Sequence, residues 1–141
     1  MTTAAGIAPY EIIDRTSEIE KILEQRIMVL DGAWGSMLQS YNFTEQDFRG
    51  ERFADHPRDL QGCIDLLVLT QPGVVKEVQR QYLEAGADIL ETNTFTANEF
   101  GMADYGLQEH VYEINREAAM IARRIADEFT EKNPDKPRFV A

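Results

Sequence analysis

Apolar positions along the chain change period several times, and each change marks an element. Ile19, Ile22 and Leu23 fall on one face of a helix running to about Gln25, and Ser17-Glu18-Ile19-Glu20 reads as its capping box. Ile27-Met28-Val29-Leu30 is a continuous apolar run of strand length, which predicts a buried strand. Val74, Val75, Val78, Tyr82 and Leu83 return to helical spacing, with Thr70 as cap, Pro72 in the first turn and Gly86 as the stop. A second strand is predicted over 88–92. A short helix over Ala97–Tyr105 stops at Gly106. Val111, Ile114, Ala118, Ile121, Ile125 and Phe129 mark a long amphipathic helix to about Glu131. After Pro134 and Pro137, Phe139-Val140-Ala141 opens a third apolar run.

Two stretches resist this reading. Tyr41 to Gly62 is irregular and charged, although Phe48 and Phe53 within it predict that it packs onto the body. A loop of that length inside a compact domain is usually functional or an elaboration particular to one family. Ile64 to Leu69 fits either a strand or a buried turn, because a short apolar run has no diagnostic period. The remaining order is helix, strand, helix, strand, helix, strand start. It predicts an α/β fold with βαβαβ units wound right-handed on a parallel sheet. Residues 1–16 read as a flexible lead-in and 17–141 as one structured unit.

Candidate chemistry gathers at the carboxyl ends of the first two strands, where α/β proteins place ligands. Leu30 is followed by Asp31-Gly32-Ala33-Trp34-Gly35-Ser36. The acid suits a cationic group. Gly32 and Gly35 let backbone approach a ligand, and Ser36 can open a helix whose free N–H groups face an anion. An amino acid carries both charges. A strand-to-helix turn capped by Asp or Ser would use the same residues. The second strand ends in Glu91-Thr92-Asn93-Thr94-Phe95, acid, hydroxyl, amide, hydroxyl and aromatic, which reads as the rim of a small-molecule site. Neither stretch is a dinucleotide or phosphate-loop fingerprint, so no nucleotide is implied.

Composition narrows the classes. The 141 residues suffice for one domain with a core, and the net charge of −11 opposes nucleic acid and anionic membrane as partners. No apolar stretch approaches the roughly 20 residues of a membrane span. The start lacks a basic segment followed by an apolar run, so no secretory signal is read there. Cys63 is the single cysteine, which excludes an intrachain disulfide and suits a reducing cytoplasm. A lone cysteine is more often a small apolar residue than a nucleophile, and His56 and His110 read as surface residues.

Three runs carry a resemblance: Leu30-Asp31-Gly32-Ala33-Trp34-Gly35-Ser36, Asp47-Phe48-Arg49-Gly50-Glu51-Arg52-Phe53, and Glu84 through Phe95. From about Ser17 to Ala141 the chain resembles the amino-terminal homocysteine-binding domain of cobalamin-dependent methionine synthases. The first and third runs are shared with homocysteine methyltransferases generally. The F-R-G-E-R-F run points to the cobalamin-dependent group. The resemblance implies a partial (β/α)₈ barrel, the first two to three βα units of eight. It implies homocysteine as substrate, with methyl transfer from methylcobalamin recharged by methyltetrahydrofolate. Zinc would be bound by three cysteines beyond Ala141, with cobalamin and folate on later domains, so this segment would bind none of them and be inactive alone. Cys63 matches no ligand position, and Cys63, His56 and His110 share no zinc-motif spacing.

Carried onto matching positions, the resemblance places Asp31 near the substrate ammonium and Gly32, Gly35 and Ser36 near its carboxylate. Glu91, Asn93 and Thr94 would form the polar wall and support the metal region from behind, with Trp34 and Phe95 as apolar walls. Other homocysteine methyltransferases, using betaine or S-methylmethionine as donor, fit the shared runs. A stand-alone binding protein without catalysis is the reading from another class.

Overall fold

The computed structural model describes residues 14–141; of the lead-in expected over 1–16, residues 1–13 lie outside it. Three parallel segments form the centre. β1 (Ile89–Leu90) pairs in parallel with β2 (Phe139–Val140), Ile89 opposite Phe139 and Leu90 opposite Val140. On its other side Ile89 makes a parallel bridge to Leu30. The N–H of Asp31 donates to Ile89 O at 2.9 Å, and those of Asp88 and Ile89 donate to Val29 O. The predicted order of three parallel strands is therefore present, but the regular pairing is far shorter than the expected 27–30 and 88–92.

The helices follow from the spacing. α5 (Pro72–Ala85) begins with proline, whose missing N–H is no loss in a first turn, and ends at Gly86 with φ of 112°. α7 (Val111–Lys132) buries Ile114, Ala118, Ile121, Ala122, Ile125 and Ala126. All of these but Ala122 join Val75, Val78 and Leu83 of α5 and Leu90 of β1 in one core. The core thus lies between the sheet and the helices that connect its strands.

Several local expectations are corrected. Ser17 does not cap the first helix: α1 (Thr16–Leu23) starts one residue earlier with Arg15 at its cap and no side-chain capping bond. Asp14 Oδ1 instead accepts from Thr16 N. Thr70 does not cap α5 either. It ends α4 (Leu67–Thr70), which follows a 3₁₀ turn at Ile64–Leu66, so the ambiguous run is helical. The helix expected over Ala97–Tyr105 is α6 (Glu99–Ala103), begun by Asn98, whose Oδ1 accepts from Phe100 N and Gly101 N. The apolar run 27–30 is not buried: Ile27 is 86% exposed, and Val29 and Leu30 are also exposed.

The irregular stretch contains α3 (Glu45–Arg49), opened by a true capping box between Thr44 and Asp47. Its charges organise the loop that follows. Glu45 accepts from Leu60 N and Gln61 N, while Arg49 pairs with Glu45 and donates to His56 O at 2.6 Å and Arg58 O at 2.9 Å. Phe48 and Phe53 are buried as expected. Arg52 makes a two-pronged pair with Glu113 of α7. The loop is thereby fixed against the body, which brings Gly62, Ile64 and Asp65 to the carboxyl end of the sheet.

The amino end of the sheet is closed by charge. Asp88, 1% exposed, accepts from both Arg26 Nη atoms at 2.8 and 2.9 Å and from Val29 N. Lys136 and Arg138 stand 4.0 and 3.7 Å away. Burial pushes its pKa up, but Arg26, the Val29 N–H and Lys136 outweigh that and hold it below the usual carboxylate range. Among the described residues no helix is long and apolar enough to cross a membrane.

Candidate functional site

At the opposite, carboxyl end of the parallel segments lies an open cleft of about 610 Å³. Its lining includes Trp34 and Gly35 from the first strand-to-helix turn, Glu91 to Thr96 beyond β1, and Ile64 and Asp65 from the 3₁₀ turn. Of the residues singled out in the sequence, Gly35, Glu91, Asn93 and Thr94 line it together, with Trp34 and Phe95 as expected walls. Phe95 is 96% exposed, so it stands at the mouth. Gly32 and Ser36 do not line the cleft. α2 (Trp34–Gln39) starts before Ser36, which sits exposed within its first turn. Neither Asp31 nor Ser36 caps that helix. Its cap is Ala33, held at φ of 48°, a left-handed conformation costly for a residue with a Cβ. A Cβ added at Gly32 or Gly35 would touch nothing within 4 Å, so neither glycine is required by the chain's own packing.

Asp31 lies next to the lining and is 7% exposed. Its Oδ1 accepts from Glu91 N at 2.8 Å, which joins the two polar strand ends across the sheet. Its Oδ2 is buried with no hydrogen-bond partner among the described residues. Burial is the main cause that lifts its pKa to about 6; the Glu91 N–H opposes the shift and the Glu91 charge adds to it. Trp34 Nε1 is also buried and unpartnered. The edge of the cleft therefore holds one spare acceptor and one spare donor. A buried polar group without a partner is a standing demand for one.

The rim beyond β1 is tied down at several points. Asn93, almost fully buried, donates from Nδ2 to Ile64 O at 2.9 Å. Thr92 and Thr94 share a hydroxyl bond of 2.7 Å. Asp65 was not singled out in the sequence, where it sits inside an apolar run. Its Oδ2 accepts from Thr96 N at 2.6 Å and from Thr96 Oγ1 at 2.9 Å. Burial raises its pKa, against the pull of the Thr96 bonds. An acid embedded between Ile64 and Leu66 was the available signal.

A thiolate or metal site has no support here. Cys63 is buried, its thiol faces Met102 Sδ at 3.9 Å, and burial pushes its pKa up to about 11. His56 is half-buried rather than on the surface, donating Nε2–H to Tyr105 O at 2.7 Å. His110, also half-buried, stands edge-on to Phe53. Among the described residues no three His, Cys, Asp or Glu side chains come together as a metal site. Among the described residues Cys63, His56 and His110 form no zinc site.

The model of the homocysteine S-methyltransferase family matches residues 28–141. The chain belongs to the homocysteine S-methyltransferase family. Both polar strand ends and the whole cleft fall inside the matched range. Two solved structures of the homocysteine methyltransferase MmuM from Escherichia coli are similar to this chain. The metallated form has a TM-score of 0.65 at 21% identity, covering 87% of this chain and 39% of that one. The oxidized form has a TM-score of 0.66 at 22% identity with the same coverage. At such identities the likeness speaks for the fold. The homocysteine S-methyltransferase segment described here spans about two-fifths of the length of the enzyme it matches.

Proposed function

We propose that this segment forms part of the homocysteine pocket of a methionine synthase, on the first units of a (β/α)₈ barrel. The observation that carries the reading is the pairing of unsatisfied groups beside one cleft. Asp31 Oδ2 is a buried acceptor in want of a donor, and Trp34 Nε1 is a buried donor in want of an acceptor. The ammonium of an amino acid answers the first and its carboxylate the second. In this reading Asp31 takes the ammonium. Gly35 flanks the carboxylate from the first turn. Glu91, Asn93 and Thr94 form the polar wall along the rest of the substrate, with Trp34 and Phe95 excluding water from its methylene stem.

The reaction is methyl transfer to the homocysteine sulfur, giving methionine. A zinc ion would lower the thiol pKa so that sulfur reacts as thiolate. Its ligands lie outside the residues described here, as do the cobalamin and methyltetrahydrofolate sites, and this chain alone is inactive. What the chain's own residues contribute is orientation. They fix the two charged ends of the substrate and so aim its thiol. The cytoplasm is the compartment that suits a thiol substrate and an unpaired cysteine.

The test is calorimetric titration of homocysteine into the enzyme as its cells make it, alongside the Asp31→Ala, Asn93→Ala double variant. Binding to the wild type and loss in the variant is expected; equal binding overturns the site. The donor is read separately, by offering methylcobalamin, betaine and S-methylmethionine in turn. The second reading is a homocysteine methyltransferase with another donor, betaine or S-methylmethionine, which fits the same family match. An immunoblot adds a check on size. A native product far heavier than 16.1 kDa supports the multidomain enzyme, whereas one at that mass favours a binding protein without catalysis.

A further inference from the structure

The cleft wall from Glu91 to Thr96 follows β1 but has no sheet or helix of its own to set its shape. Apart from the Thr92–Thr94 bonds within it, its conformation is set from outside. Thr96 is the point where two elements grip it. From one side Asp65, 2% exposed, accepts both the backbone N–H and the hydroxyl of Thr96. From the other side α6 presses against it, and a Cβ at Gly101 would stand only 2.3 Å from Thr96 O. Glycine there is what allows so close an approach. Asn115 of α7 holds the next residue, donating Nδ2 to Ala97 O at 2.7 Å. Asn93 bonds Ile64 O, one residue before Asp65, so the same 3₁₀ turn fixes both ends of the wall.

We propose that Asp65 is a positioning residue: through Thr96 it holds the Asn93–Thr94 wall in the shape that receives the substrate. The inference rests on the homocysteine reading above and adds a residue that reading did not use. Two charge-assisted bonds from one buried carboxylate are stronger than the neutral bonds around them. Without them the Thr96 N–H would be left unpaired and the wall would move off Gly101. A wall displaced by a fraction of an ångström weakens every contact it makes with a bound molecule. Asn at this position can set its one oxygen where Oδ2 stands and so keep both Thr96 bonds, without the charge. Ala keeps nothing.

The experiment compares Asp65→Ala, Asp65→Asn and the milder Thr96→Val in the enzyme as its cells make it. Three readouts are taken: thermal melting, homocysteine KM against kcat, and hydrogen exchange at the amides of Asn93 to Ala97. The expected result is that Asp65→Ala raises the homocysteine KM by about tenfold or more. The kcat should fall less, and the Asn93–Ala97 amides should lose protection. Asp65→Asn should recover most of both, with Thr96→Val between. The proposal is overturned if a folded Asp65→Ala enzyme keeps its KM and its amide protection. It is also overturned if Asn rescues nothing, or if KM and kcat shift only in step with a lowered melting point. Should Asp65→Ala fail to fold, Asp65→Asn and Thr96→Val decide alone: an undisturbed wall in Thr96→Val overturns the proposal. If homocysteine fails to bind the wild type, the homocysteine reading falls. The exchange pattern still decides whether Asp65 shapes the wall.

Discussion

Asp31 and Glu91 are 60 residues apart in sequence and are joined by one hydrogen bond, from the Glu91 N–H to Asp31 Oδ1 at 2.8 Å. The bond uses one oxygen of a buried carboxylate and leaves the other bare.

On the proposed homocysteine reading, that bare oxygen should make affinity depend on pH. Burial pushes the Asp31 pKa up to about 6, so its charged form, the one that would hold an ammonium, is lost as pH falls below that value. Homocysteine affinity should drop between pH 7 and pH 5 by about tenfold per pH unit at the acid end, and the Asp31→Asn enzyme should lack this dependence. Titration calorimetry at three pH values checks it; a flat wild-type profile removes Asp31 from the ammonium site.

Stability should move the other way at the same residue. The folded-state pKa lies above the ordinary 3.8, so the native state holds this proton more tightly than the unfolded chain. The contribution is fully present below the unfolded value and is lost as pH rises through about 6. It amounts to on the order of 2–3 kcal/mol. Asp31→Asn should therefore narrow the gap in denaturant midpoint between pH 5 and pH 8, as read by urea unfolding of the whole enzyme.

Asp88 carries the opposite sign. Its carboxyl is held below the usual range, so its stabilisation is present above the unfolded value and is lost as pH falls through the lower folded one. Asp88→Ala leaves Arg26 and the Val29 N–H without their acceptor and Arg138 without its counter-charge. Arg26 is 38% exposed, so the pair is screened on one side and the loss is about 1–3 kcal/mol. Homocysteine KM should change little, because the cluster sits at the far end of the strands. A variant with full stability would show that the cluster contributes nothing.

Cys63 should resist alkylation. With its thiol raised to about 11 and buried, the thiolate fraction at pH 7.5 is on the order of 10⁻³ or less. Intact mass after an hour in iodoacetamide should show no addition at Cys63 in the native enzyme and full addition in denaturant. Rapid native labelling would refute the burial.

The exposed edge at Ile27, Val29 and Leu30 predicts how the 141 residues behave alone. An open parallel edge bearing apolar side chains invites pairing with other chains. Light scattering on the isolated chain should report self-association that Val29→Lys reduces. A monodisperse monomer with a sharp melt would contradict it.

The helices were legible because their signals are local. Proline at the start and glycine at the end of α5 act within one turn, and α7 repeats its apolar stripe over six turns. The strands were legible in position and direction but not in burial, since exposure of Ile27 and Val29 depends on what lies beside them. Capping was legible as a pattern but not in place. Ser17–Glu20 and Thr44–Asp47 both satisfy it, and only Thr44 sits where the chain enters a helix, because Asp14 has already taken the first N–H of α1. The rim Glu91–Thr94 was legible from its odd chemistry. Asp65 was not, because its partner is 31 residues away and its neighbours are apolar. The placement of Gly32 and Ser36 failed for a geometric reason: the left-handed residue is Ala33, so the helix starts at Trp34.

The bonds that shape the cleft also set when it can exist during synthesis. Asp31 waits for Glu91, Asp65 for Thr96, and Ala97 for Asn115. A ribosome delivers these partners in that order, so a cleft begun at Asp31 stays unfinished until the 84 further residues through Asn115 have emerged. Until then the Asp31 carboxylate, later buried, is open to the cell. A slow stretch of translation before Asn115 would lengthen that exposure, and one placed after it would let the wall close first.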